Sequence, residues 1–422
     1  MSSRSTLFPM IIIGALFFIF GFVTWLNGSL IPFLKVICEL TEFQSLFVTF
    51  AFYIAYTVMA LPMSFVLEHT GYKNGMAIGL AVMAVGSLLF IPAAQTANYL
   101  YFLAALFTLG TGLTILQSAS NPYVVFLGPI ESAAMRISIM GLINKGAGVV
   151  VPLIFTALIL SDIPNLLYSD LSGEQIDALA QRLITPYIIM AVILVGLIAL
   201  VKFSSLPEIE FSEDENGDKE SIFHFPSVVL GAMALFFYVG IEVIAGDTIG
   251  LYGQSLGIEN ATALTSYTMV FMVLGYVVGV LCIPKYLSQR SALLGSAILG
   301  SLFLVGLGLS SSESSTISEM LWGWSGIGTL PDTVTFIALL GFANALVWPT
   351  IWPLALEGLG KYTAKGSALL IMGIAGGAIM PLIFGKISQI SGDMQSSYLI
   401  GLASYIFIFM YALKWHKMSS WR

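Results

Sequence analysis

Long uninterrupted runs of apolar residues dominate the chain, and Gly, Pro and charged residues separate them. Each run is long enough to cross the hydrocarbon core of a bilayer, which takes about 20 residues of helix. The runs are continuous rather than alternating, so they predict helices and not the strands of a membrane barrel. Twelve spans are predicted, near 8–34, 44–67, 75–95, 99–127, 137–160, 183–203, 226–254, 262–284, 291–310, 333–356, 364–389 and 395–414.

The two halves of the sequence resemble each other. The segment NPYVVFLGPIESAAMRISIMGLINKGAGVVVPLIF, which begins at Asn121, has a counterpart in WPTIWPLALEGLGKYTAKGSALLIMGIAGGAIMPLIF, which begins at Trp348. This repeat pairs spans 4 and 5 with spans 10 and 11, and it predicts two pseudo-symmetric six-helix bundles of parallel orientation. The expected division is an N-terminal bundle over 1–203, an acidic cytoplasmic linker over 204–224 and a C-terminal bundle over 225–422. Such duplicated bundles suit alternating access around a site at the midplane.

Composition supports a membrane protein. Hydrophobic residues make up 58% of the 422 residues and charged residues only 9%, whereas soluble domains carry about 25% charged residues. This excludes a soluble enzyme and a disordered chain. The formal net charge of −7 also leaves no basic stripe for nucleic acid. The fold class predicted is therefore an all-α membrane protein with the lipid bilayer as its surroundings.

The distribution of Lys and Arg predicts the orientation. With both termini in the cytoplasm, all 16 of these residues fall on the cytoplasmic side except four. Lys35, Arg182 and Lys386 fall outside, and Lys145 lies within a span. This strong positive-inside bias predicts cytoplasmic termini.

Three ionisable residues lie inside the predicted spans: Lys145 in span 5, and Glu242 and Asp247 in span 7. Each costs about 2.5–3.5 kcal/mol at a helix centre on insertion scales. We expect them to line an aqueous path for a substrate or an ion, and the alternative is an ion pair that fastens helices together. No His pair, Ser–His constellation or cluster of metal ligands lies in the spans, so no enzyme and no cofactor is expected.

The rise per residue of a helix gives an approximate depth for each polar residue. Gln117, Lys145, Asn344 and Trp348 are predicted to share one layer near the midplane. Asn27, Glu242 and Asp247 are predicted to lie in a second layer closer to the outside. A pair between Lys145 and Glu242 would therefore need the spans to tilt or shift.

Helical spacing groups several of these polar residues. Gln117 and Asn121 are four apart in span 4, while Asn344, Trp348 and Trp352 form an i, i+4, i+8 stripe in span 10. Amides can hydrogen-bond the hydroxyls of a sugar, and indoles can pack on its C–H face. A sugar site is therefore predicted; the alternative for a single amide is a hydrogen bond between helices.

Several strings closely resemble the glucose/galactose transporters of the fucose–galactose–glucose symporter branch of the major facilitator superfamily. They are FGFVTWLNGSLIPFLK, LQSASNPYVVFLGPIESAAMRISIMGLINKGAG, IEVIAGDTIGLYGQSLG and LTSYTMVFMVLGYVVG. The resemblance covers nearly the whole chain. It implies a twelve-helix fold in two six-helix halves and sugar uptake coupled to a cation in a bacterial inner membrane.

The match to the fucose permease of this branch is more distant and departs at two acidic positions. That protein has an aspartate where Gly28 stands and a glutamate where Gln117 stands, while Asn144 matches an asparagine of its fucose site. Its coupling acids are therefore missing here. Glu242 and Asp247 are the intramembrane carboxylates left for coupling.

The function predicted is import of a neutral hexose, glucose or galactose first, by cation symport; mannose and N-acetylhexosamine stay open. The expected substrate-binding residues are Asn27, Gln117, Asn121, Asn144, Lys145, Glu242, Asn344, Trp348 and Trp352. Glu242 or Asp247, with Thr248, is expected to take the coupling ion, which is sodium or a proton, and sodium is slightly favoured because the acids of the fucose permease are absent. A monomer is expected, and an uncoupled sugar facilitator and a drug/proton antiporter are the alternatives.

Overall fold

The computed structural model describes residues 3–127, 133–160, 172–204, 206–207, 221–283, 285–359 and 362–421. Its regular secondary structure in these ranges is helical throughout. Most of the predicted linker over 204–224 lies outside the described residues, as do residues 128–132 of the NPYV segment.

Twelve helical segments in the described ranges are long and apolar enough to cross a membrane, which confirms the prediction from hydropathy. These spans are Phe8–Ile37, Glu42–Met59, Tyr72–Thr96, Tyr99–Asn121, Arg136–Ile159, Gly173–Phe203, Pro226–Asp247, Ala261–Cys282, Gln289–Leu309, Asp332–Leu356, Leu369–Ser391 and Met394–Leu413. The chain is a multi-pass, all-α membrane protein.

The individual helices are as follows in chain order. They are α1 (Ser3–Ile37), α2 (Glu42–Ser45), α3 (Phe47–Thr70), α4 (Tyr72–Thr96), α5 (Tyr99–Phe126), α6 (Ala133–Ile159), α7 (Gly173–Gln181), α8 (Ile184–Phe203), α9 (Pro226–Asp247), α10 (Ile249–Ser255), α11 (Thr265–Cys282), α12 (Gln289–Leu309), α13 (Thr316–Trp322), α14 (Asp332–Asn344), α15 (Val347–Leu356), α16 (Thr363–Met372), α17 (Gly376–Ser391), α18 (Met394–Ser397) and α19 (Gly401–Leu413).

Several spans that the sequence predicts as single helices are interrupted, and two of these breaks lie in the spans that carry Asp247 and Asn344. Span 7 breaks at Thr248, between α9 and α10. The Thr248 hydroxyl donates to the Ile244 carbonyl at 2.6 Å, which offers the backbone an alternative to the helical ladder. Span 10 breaks at 345–346, between α14 and α15. Both breaks lie in the C-terminal half.

Three pairs of spans make most of the interface between the two halves. α6 packs along α11, α3 packs against α17, and α1 packs against α9 and α10. In terms of spans these pairs are 5 with 8, 2 with 11, and 1 with 7. A two-fold axis relates each span of the first half to the span six places later in the second half. It converts the pair of spans 5 and 8 into the pair of spans 11 and 2, and it maps the pair of spans 1 and 7 onto itself. The contacts thus follow the pseudo-symmetry that the repeat predicts.

The end of the bundle that lies away from both chain termini is called the distal face here, and the opposite end the terminal face. The halves are fastened together toward the distal face. Ser29 Oγ donates to the Thr262 carbonyl at 2.6 Å, the hydroxyls of Thr156 and Thr262 are 2.7 Å apart, and Gln254 Nε2 donates to the Pro32 carbonyl at 3.2 Å. The part of the interface between the two halves that contains these three contacts is called the distal seam.

Close backbone packing at Gly28 allows the distal seam to close. A Cβ atom on Gly28 would lie 2.2 Å from Thr265 Oγ1 and 3.0 Å from the Gly246 carbonyl oxygen. No side chain larger than that of glycine fits between α1 and the C-terminal half without a shift. An aspartate at this position would not fit this packing.

Candidate functional site

A buried ion pair joins the two halves at the middle of the bundle. Lys145 Nζ of α6 donates to Glu242 Oε1 of α9 at 2.6 Å. The two side chains are only 11% and 8% exposed. The distance and burial make this a charge-assisted hydrogen bond in a medium of low dielectric, where it is stronger than on a surface.

Tight packing between α1 and α6 places an indole against this pair. A Cβ on Gly21 would lie 1.9 Å from the Asn144 carbonyl oxygen, and a Cβ on Gly148 would lie 2.6 Å from Trp25 Cδ1. Because both positions are glycine, the helices approach closely enough for Lys145 Nζ to lie 4.4 Å from the centroid of the Trp25 ring. The cation is therefore held by a carboxylate on one side and an aromatic face on the other.

Phenol rings surround the carboxylate of the pair. The side chain of Tyr238, one turn before Glu242 on α9, lies close enough to interact with it. Tyr53, Tyr276 and Tyr405 lie close enough to Glu242 for electrostatic interaction. All four tyrosines are at most 5% exposed. They come from both halves, so Glu242 lies where the two halves meet.

Two tryptophans of α15 extend this aromatic surface. The ring centroid of Trp348 lies 6.3 Å from that of Tyr238 and 5.5 Å from that of Trp352. Trp352 Nε1 is buried and has no hydrogen-bond partner among the described residues. Trp348 and Trp352 thus lie together as their i, i+4 spacing predicts, and Tyr238 links them to the ion pair.

Buried amides with unused hydrogen-bonding capacity accompany the pair. Asn344 Oδ1 accepts from the Tyr405 hydroxyl at 2.8 Å, while its Nδ2 has no partner among the described residues. Neither polar atom of the Asn27 side chain has one either, although the residue is only 1% exposed. An unsatisfied buried amide is costly. Asn27 lies two residues from Trp25 and so points to another side of α1.

The second carboxylate of α9 has a different environment. Asp247 is fully buried; its Oδ2 accepts from Thr49 Oγ1 at 3.4 Å, and its Oδ1 has no partner in the described part of the chain. The hydroxyl of the neighbouring Thr248 is 2.6 Å from both the Ile244 carbonyl and the Tyr398 hydroxyl. Thr248 is therefore engaged by its own helix and by span 12.

The remaining predicted residues lie on α5 and α6. Gln117 and Asn121 are half-buried on α5, one helical turn apart, as their spacing predicts. Asn144 is also half-buried, and its Nδ2 donates to the Phe17 carbonyl at 3.5 Å. Asn144 is thus held next to Lys145 and against α1. For these three residues a role in sugar binding stays a prediction.

The assignment of Lys145 and Glu242 to separate depth layers is wrong, because the two side chains bond directly. The estimate counted residues along straight helices and ignored the reach of the flexible four-carbon stem of lysine. The stripe of Asn344, Trp348 and Trp352 is also not one continuous helix, because the break at 345–346 separates Asn344 from the two tryptophans.

The sequence prediction missed Trp25, Thr49, Tyr238 and Tyr405 as neighbours of the buried charges. Tyr238 could have been found from its position four residues before Glu242. Trp25 follows Gly21 by one turn, a weak sign of close packing. For Thr49 and Tyr405, which reach their partners from other spans, the sequence offers no comparable signal.

Comparison with known proteins gives consistent relatives over nearly the full length. A "Glucose/galactose transporter" of Brucella abortus biovar 1 (strain 9-941) is 32% identical over 419 residues, which cover 98% of this chain and 95% of the relative. The "L-fucose-proton symporter" of Escherichia coli (strain K12) is 30% identical over an alignment that covers 97% of this chain and 93% of the relative. The predicted resemblance to this branch is confirmed.

Solved structures agree on the fold. The major facilitator superfamily transporter FucP in the outward conformation matches with a TM-score of 0.72 and 25% identity, covering 97% of this chain and 99% of the other. A D-xylose-proton symporter matches with a TM-score of 0.69 over 98% of both chains, at 14% identity. The family model of the Major Facilitator Superfamily matches residues 13–381. The chain therefore belongs to the Major Facilitator Superfamily, whose members are transporters and not enzymes.

Proposed function

We propose that this protein imports a neutral hexose, glucose or galactose first, together with a cation, by alternating access of its two halves around the Lys145–Glu242 pair. The observation that carries the proposal is this buried pair at the meeting of the halves, with Trp25 on one side and Tyr238 and Trp348 on the other.

The chemistry of the surroundings suits a sugar. A hexose presents hydroxyls around its edge and C–H groups on its faces. The carboxylate and ammonium groups of the pair can exchange hydrogen bonds with hydroxyls, and indole or phenol rings can pack on the C–H faces. Asn344 and Trp352 add buried N–H donors that have no partner in the described residues. A site of this kind rejects ligands that lack the hydroxyls, because its own groups would be left unpaired.

The names of the relatives support the same assignment. The Brucella relative is called a glucose/galactose transporter, and the Escherichia coli relative is called an L-fucose-proton symporter. The resemblance described in the sequence analysis implies acids of the fucose permease where Gly28 and Gln117 stand, so we expect other residues of this chain to take the coupling ion. We place the protein in a bacterial inner membrane as a monomer with cytoplasmic termini, as the Lys and Arg distribution predicts. On this orientation the closed distal seam separates the Lys145–Glu242 pair from the outside.

Uptake into proteoliposomes tests this function. Labelled glucose, galactose, mannose, N-acetylglucosamine and fucose are offered under a proton gradient, a sodium gradient or no gradient. We expect concentrative uptake of glucose or galactose under one of the two gradients. Uptake that only equilibrates would identify an uncoupled facilitator. Failure to take up or exchange any hexose, together with proton-driven movement of apolar cations, would identify a drug antiporter and refute the proposal.

A matched pair of tryptophan variants tests the site. Trp348→Ala removes the ring that packs on Tyr238, and we expect the KM for hexose to rise about tenfold or more, the effect of losing 1.4 kcal/mol or more of binding. Trp324 is 84% exposed beyond the membrane spans, so Trp324→Ala is the control and should leave the KM unchanged. Equal KM values in the two variants would remove Trp348 from the sugar site.

A further inference from the structure

Asp247 is the buried carboxylate whose charge the surrounding structure does not balance. It is fully buried at the end of α9. One oxygen accepts a long hydrogen bond of 3.4 Å from Thr49 Oγ1, and the other has no partner among the described residues. An ionised carboxylate in such a place is strongly disfavoured, and the neutral acid removes the penalty.

The charged and titratable groups around Asp247 do not change this balance. Lys145 on α6 is the nearby cation, but Glu242 binds it at 2.6 Å. Between Phe8 and Leu34, α1 has no charged residue. The groups that face this region are Glu242 on the same helix, Tyr53 and Tyr56 on α3, and Tyr398, which bonds the adjacent Thr248. Lys145 and Glu242 neutralise each other, so an ionised Asp247 would be one negative charge in excess.

The position of Asp247 couples its burial to the contact between the halves. Thr49 belongs to α3 in the N-terminal half, and Asp247 belongs to α9 in the C-terminal half. One turn after Thr49, the Tyr53 ring packs on Gly377 of α17, where an added Cβ would lie 3.0 Å from Tyr53 Cδ1. Separation of the halves at the distal seam would remove Thr49 and Tyr53 from Asp247 and admit water to the carboxyl group.

We propose that Asp247 carries the coupling proton: it takes the proton from the distal side while the distal seam is open, the seam closes over the neutral acid, and loss of the proton toward the terminal face leaves a buried charge that favours reopening. The proposal rests on the symport function proposed above. The only transfer is of a proton, from water at the distal face to a carboxylate oxygen of Asp247. The acid O–H can then donate to Thr49 Oγ1 as the seam closes, since a hydroxyl both donates and accepts. The proton leaves toward the terminal face past Tyr53, which interacts with both Asp247 and Glu242.

The oxygen atoms near Asp247 favour a proton over the sodium ion that the sequence slightly favoured. A hard cation needs several oxygen ligands. The Thr248 hydroxyl bonds Ile244 and Tyr398, and the Gly246 carbonyl accepts from Thr265 Oγ1 at 2.8 Å. The oxygens expected to complete a sodium site with Asp247 are therefore already engaged.

The test uses wild-type protein and Asp247→Asn in proteoliposomes with the hexose that gives the fastest wild-type counterflow. A proton gradient of one pH unit sustains about tenfold accumulation when one proton moves with each sugar. We expect the wild type to approach this ratio and Asp247→Asn to accumulate no sugar above equilibrium, with counterflow retained. Asp332→Asn is the matched control, because this buried carboxylate of the distal loops is satisfied by Ser314 and the Ile317 amide. It should accumulate sugar like the wild type.

Thr49 provides a second pair of variants in case Asp247→Asn does not fold. Thr49→Val removes the hydroxyl that bonds the acid, and we expect proton-driven accumulation to fall about threefold or more, as for loss of one hydrogen bond. Thr49→Ser keeps the hydroxyl and should restore accumulation. Equal accumulation in the two variants would overturn the role of Thr49 in closing over a protonated Asp247.

The remaining outcomes are distinct. Proton-driven accumulation that survives in Asp247→Asn overturns the proposal. So does accumulation in the wild type that follows only a sodium gradient and is lost in Asp247→Asn, since the carried ion is then sodium. Loss of counterflow in Asp247→Asn also overturns it, because Asp247 is then needed for sugar binding. Failure of the wild type to exchange any hexose refutes the symport function itself, and that failure is visible without any variant.

Discussion

Glu242 and Asp247 lie five residues apart on the same helix, yet their environments differ. Glu242 binds Lys145 at 2.6 Å and lies among phenols. Asp247 has only the Thr49 hydroxyl at 3.4 Å and one oxygen without a partner among the described residues. Both residues are buried. The difference is therefore one of charge compensation and not of depth.

This difference suits two separate tasks. A compensated pair is neutral as a unit, so it can remain ionised in a buried site and offer both donors and acceptors to a sugar. A carboxyl group without a cation is stable in a dry site only when protonated, and its ionised form is tolerated only when water reaches it. On the function proposed above, the Lys145–Glu242 pair binds the sugar, and the protonation of Asp247 depends on whether the distal seam is open.

Removal of Lys145 should have the largest effect, because it converts Glu242 into a second uncompensated carboxylate. Breaking a buried pair by removing one partner costs about 3–5 kcal/mol. In Lys145→Met, Glu242 loses its bond and Trp25 loses the ammonium group above its ring. We expect a lower melting temperature in detergent and no counterflow of hexose.

The double variant distinguishes charge from packing. Glu242→Gln in the Lys145→Met background removes the stranded charge, so most of the lost thermal stability should return while transport stays absent. Lys202→Met is the control, because Lys202 is exposed and bonds only to Asn74 among the described residues. If the double variant is no more stable than Lys145→Met alone, Lys145 does not compensate the negative charge of Glu242.

A smaller loss of stability is expected when both carboxylates stay intact and only the packing at the distal seam is changed. Gly28→Ala places a methyl group 2.2 Å from Thr265 Oγ1, and overpacking of this kind costs about 1–3 kcal/mol. We expect the halves to separate at the distal face. Spin labels at Glu39→Cys and Glu259→Cys, in a chain with Cys38 and Cys282 replaced by serine, should report a longer distance.

Gly146→Ala is the matched control for this variant, because an added Cβ there meets no atom within 4 Å. It lies on α6 next to Lys145 and should leave the distance between the labels unchanged. An unchanged distance in Gly28→Ala would show that the closed distal seam does not depend on contact at Gly28. The burial of Asp247 would then have to depend on other contacts between the two halves.

Much of this architecture could be predicted from the sequence because the bilayer restricts it strongly. Twelve apolar runs give twelve spans, since a chain in hydrocarbon must satisfy its backbone hydrogen bonds within each helix. The same restriction makes Lys145, Glu242 and Asp247 conspicuous, since ionisable residues inside spans are rare. The i, i+4 contact of Trp348 with Trp352 follows from helical geometry alone.

What the sequence could not supply are contacts between spans that are distant in the chain. The bond from Thr49 to Asp247 joins residues 198 apart, and that from Lys145 to Glu242 joins residues 97 apart. Helix depth alone placed the second pair in different layers. Close approach at Gly28 also depends on where two backbones cross, which no local pattern records. The distinction between the two carboxylates therefore required the structure.

The smallest expected effect on transport comes from Tyr238, which lies beside Glu242 without compensating its charge. Tyr238→Phe removes one hydroxyl and keeps the ring that packs on Trp348, so the cost should be about 0.5–1.5 kcal/mol. We expect the KM for hexose to rise severalfold while accumulation driven by the ion gradient persists, because Asp247 is untouched. Transport measured at a series of sugar concentrations separates the two quantities. If Tyr238→Phe abolishes accumulation but leaves the KM unchanged, Glu242 and not Asp247 is the group that couples the ion to the sugar.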